Sequence, residues 1–193
     1  MNNWIDALIQ ANKQPAFTDR LKRTCKELPN LKLTFTDNYQ QPLRTVRELG
    51  WIYPTNEELK SIMLSEENQH TYTYSKHIHE QLPETTALLK ENPQTRRAII
   101  HLTDAQHSKQ QKHKPCMIAL YVAIRNQELH VTMYARSIDL FIGLPANLYQ
   151  THIVAQQLAQ QLNKPLASIT FLINSAHIFQ DYEQQLEHVI RSN

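Results

Sequence analysis

Apolar positions along this chain change their spacing several times, and each spacing predicts an element. Asn2–Gln10 carries Trp4, Ala7 and Leu8 at near-helical intervals, the period that lines one face of a helix. Phe17–Leu28 repeats Phe17, Leu21, Cys25 and Leu28 and reads as a second helix, stopped by Pro29. Leu31–Thr36 alternates Leu31, Leu33 and Phe35 with Lys32, Thr34 and Thr36, a half-buried strand. Arg47–Tyr53 reads as another strand, closed by Pro54. Thr55-Asn56-Glu57-Glu58 has the form of a capping box that opens a helix to about Leu64. Ser65–His70 is a loop.

The second half is patterned more firmly. Pro83-Glu84 opens a helix bearing Ala87, Leu88 and Leu89, which Asn92-Pro93 ends. Strands follow at Arg97–Leu102, Cys116–Ile124 and Glu128–Tyr134, with a polar, basic loop at His107–Lys114. Leu144–Leu162 repeats Leu148, Ala155, Leu158 and Leu162 as a long amphipathic helix. Ser168–Ile173 is a strand and Asp181–Ile190 a closing helix. With no repeat or linker, residues 1–193 are expected to form one α+β domain, a mostly antiparallel or mixed sheet with helices on one face.

Composition narrows the chemistry. The chain has 193 residues, 20 Lys+Arg against 18 Asp+Glu, and a net charge of +2. That balance makes neither nucleic acid nor a membrane surface an expected partner. Only Gly50 and Gly143 are glycines, too few for a GxGxxG turn or a Walker loop, so any bound phosphate must be held by side chains. Cys25 and Cys116 are far apart, and the chain shows neither a signal-peptide pattern nor an apolar run long enough to span a bilayer. A cytoplasmic protein with two reduced thiols is the expectation. The histidines His77, His79, His101, His107 and His113 show no CxxC or HExxH spacing, so no metal is expected.

Chemistry gathers in a few segments. Cys116 ends the basic loop where a strand begins; a buried core thiol is the ordinary reading, and a thiol among cations is the reactive one. Arg96, Arg97, Arg136 and Ser137 offer enough donors for a phosphate dianion, although Arg96-Arg97 also suits an exposed charged pair. Asn147 carries one donor and one acceptor, matching the N3–H and O4 edge of uracil, and suits a helix cap equally. His177 is either a ligand contact or a satisfied core histidine.

In order and spacing, Arg96-Arg97, Pro115-Cys116, Arg136-Ser137-Ile138-Asp139, Gly143-Leu144-Pro145-Ala146-Asn147 and His177-Ile178-Phe179 resemble the thymidylate synthase superfamily, which includes the pyrimidine nucleotide hydroxymethylases. The resemblance covers about residues 70–190. It implies a mixed sheet whose second face forms a homodimer interface. It also implies Cys116 as the nucleophile toward C6 of a uridylate such as dUMP, with 5,10-methylenetetrahydrofolate as the one-carbon donor. Arg136 and Ser137 would hold the phosphate within the chain, and Arg96 and Arg97 would reach across to the neighbouring site. Asp139 and Asn147 would orient the base and His177 the sugar hydroxyl, while Glu48, in Arg47-Glu48-Leu49-Gly50-Trp51, offers the counterpart of the family's catalytic glutamate.

The chain also departs from the pattern. Phe179 stands where the family has Tyr, which removes a hydroxyl from the sugar contact. Ala135 and Ser175 replace the usual Gln and Asp. The glycine-flanked arginine loop and the closing C-terminal tail have no counterpart in the pattern. These departures keep a second class open: a catalytically degenerate nucleotide-binding homologue that serves as a sensor or partner subunit.

Overall fold

A computed structural model describes residues 4–65, 74–103 and 114–192. Much of the loops expected at 65–70 and 107–114 lies outside the described residues. The described chain forms six helices and one six-stranded mixed sheet. In chain order these are α1 (Trp4–Asn12), β1 (Ala16–Thr18), β2 (Thr24–Phe35), α2 (Gln41–Glu48), α3 (Asn56–Leu64) and α4 (Tyr74–Glu91). Then come β3 (Ile99–His101), β4 (Met117–Arg125), β5 (Glu128–Asp139), α5 (Gly143–Leu162), β6 (Leu166–Phe179), a 3-10 turn (Gln180–Tyr182) and α6 (Glu183–Arg191). The strand order is β1-β2-β6-β5-β4-β3, with β5 and β6 parallel and every other pair antiparallel.

The α+β reading holds, and the core follows the alternation of the strands. Leu31, Leu33 and Phe35 of β2, Ile169, Phe171 and Ile173 of β6, and Leu129, Val131 and Met133 of β5 are all buried. Helix α5 packs on β5 and β6, and α2, α3 and α4 pack on α5 in turn. The alternate set tells a different story. Thr34, Thr170, Thr132 and Tyr121 stand in one cross-strand row and are only half-buried, while Tyr134 is 39% exposed.

The first third corrects several expectations. Phe17–Leu28 is not a helix: it folds as the β1–β2 hairpin, pairing Phe17 with Cys25, and Phe17 and Leu21 face solvent. Pro29 sits inside β2 opposite Ser175. It is tolerated because β1 pairs only with residues 24–26, which leaves the other edge of β2 without a ladder for an N–H to join.

Arg47–Tyr53 is not a strand either. Glu48 is the last residue of α2, and Gly50, at φ +86°, ends the helix by donating to the Arg47 carbonyl at 2.9 Å. Pro83 lies within α4 rather than at its start. The capping box is present, with Thr55 N–H donating to Glu58 Oε2 at 2.6 Å and Glu58 N–H to Thr55 Oγ1 at 3.2 Å.

Candidate active site

Two parallel strands ending together build the site. β5 and β6 are both longer than their periodicity indicates, because the apolar alternation lapses into polar residues at their C-terminal ends. The register pairs Ser137 with Ser175 and Asp139 with His177. Ser137 Oγ lies 3.3 Å from His177 Nδ1. Cys116 precedes β4, and its carbonyl accepts the Arg136 backbone N–H at 3.0 Å, which ties the thiol to the same end of the sheet.

Arg136 is held on three sides. Its Nε donates to the Pro115 carbonyl at 2.9 Å and its Nη2 to the Lys114 carbonyl at 2.7 Å. The same Nη2 lies 3.8 Å from Cys116 Sγ. The guanidinium favours a thiolate there, but burial of the half-exposed cysteine is the larger effect and pushes its thiol above the ordinary range. The sequence expectation of an arginine beside Cys116 is met, while desolvation reverses the expected net lowering. Cys25, by contrast, is buried with its Sγ 3.8 Å from the Phe17 carbonyl. Both thiols are free.

Asp139 is engaged at both oxygens. Oδ1 accepts the N–H groups of Phe141 and Ile142 at 2.8 and 3.1 Å, and Oδ2 accepts the Tyr182 hydroxyl at 2.6 Å. Burial raises the Asp139 pKa, while the Tyr182 and backbone donors oppose the shift. The same contact and burial raise the Tyr182 pKa. The turn that Asp139 closes leads straight into α5. Gly143 opens that helix, and a Cβ there would make only ordinary contact, 3.4 Å from the Cβ of Asp139. One turn further, Asn147 is half-buried, with its Nδ2 donating to Gln150 Oε1 at 3.1 Å.

The remaining candidates lie elsewhere. Arg96 and Arg97 are exposed between α4 and β3, and neither has an ion-pair partner among the described residues. Because Ile99 pairs with Tyr121 on β4, Arg97 lies toward the far end of that strand from Cys116, roughly 20 Å away at about 3.3 Å per residue. Glu48 is exposed and lines shallow surface depressions with Gln40 and Arg44 that do not include Cys116, Arg136 or His177.

Two features escape the sequence reading. Tyr182 joins the ends of β5 and β6, since its hydroxyl also accepts the Phe179 N–H at 2.9 Å. The β1–β2 hairpin brings Arg23 over the Phe179 ring, 3.9 Å from its centre. Only the helical misreading of residues 17–28 hid the hairpin.

Among the described residues no cluster suits a metal ion, and no helix is long and apolar enough to cross a membrane. Comparison with known proteins agrees with the family resemblance. A family model described as thymidylate synthase matches residues 45–193. A thymidylate synthase from Baumannia cicadellinicola is 27% identical over 114 residues, which cover 59% of this chain and 43% of that protein. A bifunctional dihydrofolate reductase-thymidylate synthase from Paramecium tetraurelia is 29% identical over 117 residues, covering 61% and 25%. A protein named "Putative thymidylate synthase" from Methanosarcina barkeri is 26% identical over 191 residues, covering 95% and 87%. The chain thus spans less than half the length of the first two relatives and most of the third. With that family model matching residues 45–193, most of its length, this chain belongs to the thymidylate synthase family.

Proposed function

We propose that the chain binds a uridylate of the dUMP class and activates its C5 carbon for methyl transfer, with Cys116 as the nucleophile. The observation that carries this reading is the Cys116–Arg136 pair, whose sulfur and guanidinium lie 3.8 Å apart beside Ser137 and His177. Arg136 and Ser137 receive the phosphate. With the phosphate there, the base lies over Cys116. The thiol loses its proton to water, and the thiolate forms a C–S bond to C6. The ring double bond shifts its electron pair to C5 and O4 as an enolate. Asn147 favours that charge by donating to O4 while accepting from N3–H.

The family's donor, 5,10-methylenetetrahydrofolate, supplies a methylene and a hydride when bound. The described residues do not mark a seat for it, and Asp139, expected to orient the base, has both oxygens engaged within the chain. Arg96 and Arg97 are too far from Cys116 to serve their own chain, which supports a homodimer with shared sites. The uncovered row of Thr34, Thr170, Thr132 and Tyr121 supplies a face for it. Hydroxymethylation shares every step on the nucleotide side.

The test is mass spectrometry of the chain incubated with 5-fluoro-dUMP, with and without the folate. An adduct on Cys116 is expected; its absence in both mixtures refutes catalysis. A second reading, nucleotide binding without turnover, is favoured by the burial that pushes the Cys116 thiol pKa up. It requires tight dUMP binding with no tritium release from 5-tritiated dUMP.

A further inference from the structure

A side-chain amide can present itself in two ways. The Nδ2 and Oδ1 of Asn147 exchange places by a half-turn about Cβ–Cγ, a torsion that is broad and nearly two-fold. One orientation sets a donor toward O4 and an acceptor toward N3–H, which matches uracil; the other matches cytosine. Asn147 by itself does not decide between them.

Gln150 does. It lies three residues further along α5, the spacing that brings side chains together on one helix face, and it is 4% exposed. Its Oε1 accepts from Asn147 Nδ2 at 3.1 Å, while its Nε2 donates to the Leu59 carbonyl of α3 at 3.3 Å. A carbonyl only accepts, so Leu59 fixes which end of the Gln150 amide turns toward α3. The Gln150 oxygen is then left facing Asn147, and it too only accepts, so it draws Nδ2 rather than Oδ1. An amide pair three residues apart is ordinary on a helix. The buried anchor on a second helix gives this one a fixed direction.

One N–H of Asn147 is spent on Gln150. Its second N–H and Oδ1 remain, the donor and acceptor that the uracil edge requires. Reversing the Asn147 amide would set Oδ1 against Gln150 Oε1, two acceptors with no hydrogen between them. The arrangement therefore works against cytosine as well as for uracil.

We propose that Gln150 is a positioning residue for base specificity: anchored on the Leu59 carbonyl, it holds the Asn147 amide in the uracil-matching orientation and sets the preference for uridylate over cytidylate. This rests on the nucleotide reading above.

Calorimetry with dUMP and dCMP tests the assignment. The unmodified chain binds dUMP more tightly than dCMP. Gln150→Met keeps the side-chain length without its polar atoms, and Gln150→Ala removes the side chain; each narrows the ratio of the two affinities roughly tenfold, the effect of one hydrogen bond and the repulsion it prevents. Gln150→Glu keeps an oxygen toward Asn147 and, protonated by its burial, a donor toward Leu59, so it retains the preference. In an Asn147→Ala chain, Gln150→Met leaves the ratio unchanged, because its effect passes through the missing amide. A merely structural role weakens both nucleotides alike. Equal weakening, an unchanged ratio in Gln150→Met and Gln150→Ala, or a shift that persists without Asn147 overturns the role of Gln150. If the unmodified chain binds neither nucleotide, the reading of the site fails first and the assignment falls with it.

Discussion

Two sets of arginines in this chain stand in opposite circumstances. Arg136 is fixed by its own chain, donating to two backbone carbonyls and facing the Cys116 sulfur. Arg96 and Arg97 extend from the far end of the sheet without an ion-pair partner among the described residues. A guanidinium held by carbonyls loses little further freedom when an anion arrives, whereas an exposed one must be ordered by the ligand or by another chain. One guanidinium is already positioned beside a thiol, whereas the other two are exposed.

The sharpest way to break that contrast is to remove the group Arg136 serves. Cys116→Ser abolishes the 5-fluoro-dUMP adduct while the circular dichroism spectrum stays unchanged; an adduct that persists on another residue ends the comparison.

Next in size is Arg136→Gln. It removes the charge that lowers the thiol pKa, so the apparent pKa for iodoacetamide alkylation of Cys116 moves further up. Labelling at pH 8 slows by roughly a factor of ten, about one pKa unit. Arg96→Ala/Arg97→Ala slows that labelling less than Arg136→Gln does, since Arg136 is the arginine whose guanidinium lies beside the thiol.

The double variant instead weakens dUMP binding, by roughly tenfold if it loses charge-assisted hydrogen bonds. Mixing it with Cys116→Ser chains then restores adduct formation, because mixed dimers hold one complete site. No restoration in a mixture shown to contain mixed dimers refutes donation across the interface.

Smaller effects concern how firmly the end of the sheet around Cys116 and Arg136 is held. Tyr182→Phe deletes the hydroxyl shared by Asp139 and the Phe179 N–H and lowers stability by about 1–3 kcal/mol in urea titration. Burial makes the folded Asp139 hold its proton more tightly than the unfolded chain does. Its contribution therefore weakens the fold as pH rises from the ordinary aspartate range through the raised value. Asp139→Asn removes that slope and keeps the Oδ1 acceptor. Thr55→Ala, remote from both arginine sets, costs about 1 kcal/mol through the lost cap and leaves dUMP binding unchanged.

The legible parts were those in which local pattern and global position agree. Leu144–Leu162 repeats at helical spacing along its whole length and forms α5 almost to the residue. Thr55 and Glu58 sit three apart and form their box whatever surrounds them. Phe17–Leu28 failed because four apolar residues at helical spacing do not exclude a hairpin. Cross-strand pairing with β6 over Cys25–Phe35 outweighs that weak local preference. Glu48 was read in a strand closed by Pro54, yet the left-handed Gly50 ends a helix there.

Motif order sufficed to point to the thymidylate synthase family, whose model matches residues 45–193. Two glycines sufficed to exclude a loop-built phosphate cradle. Distances between strands lie outside what a linear pattern encodes. That Arg136 touches the thiol and that Asp139 is occupied by Tyr182 were decided by strand register. Register is set when β2, β5 and β6 bury their common apolar face, a collective choice that no single segment contains.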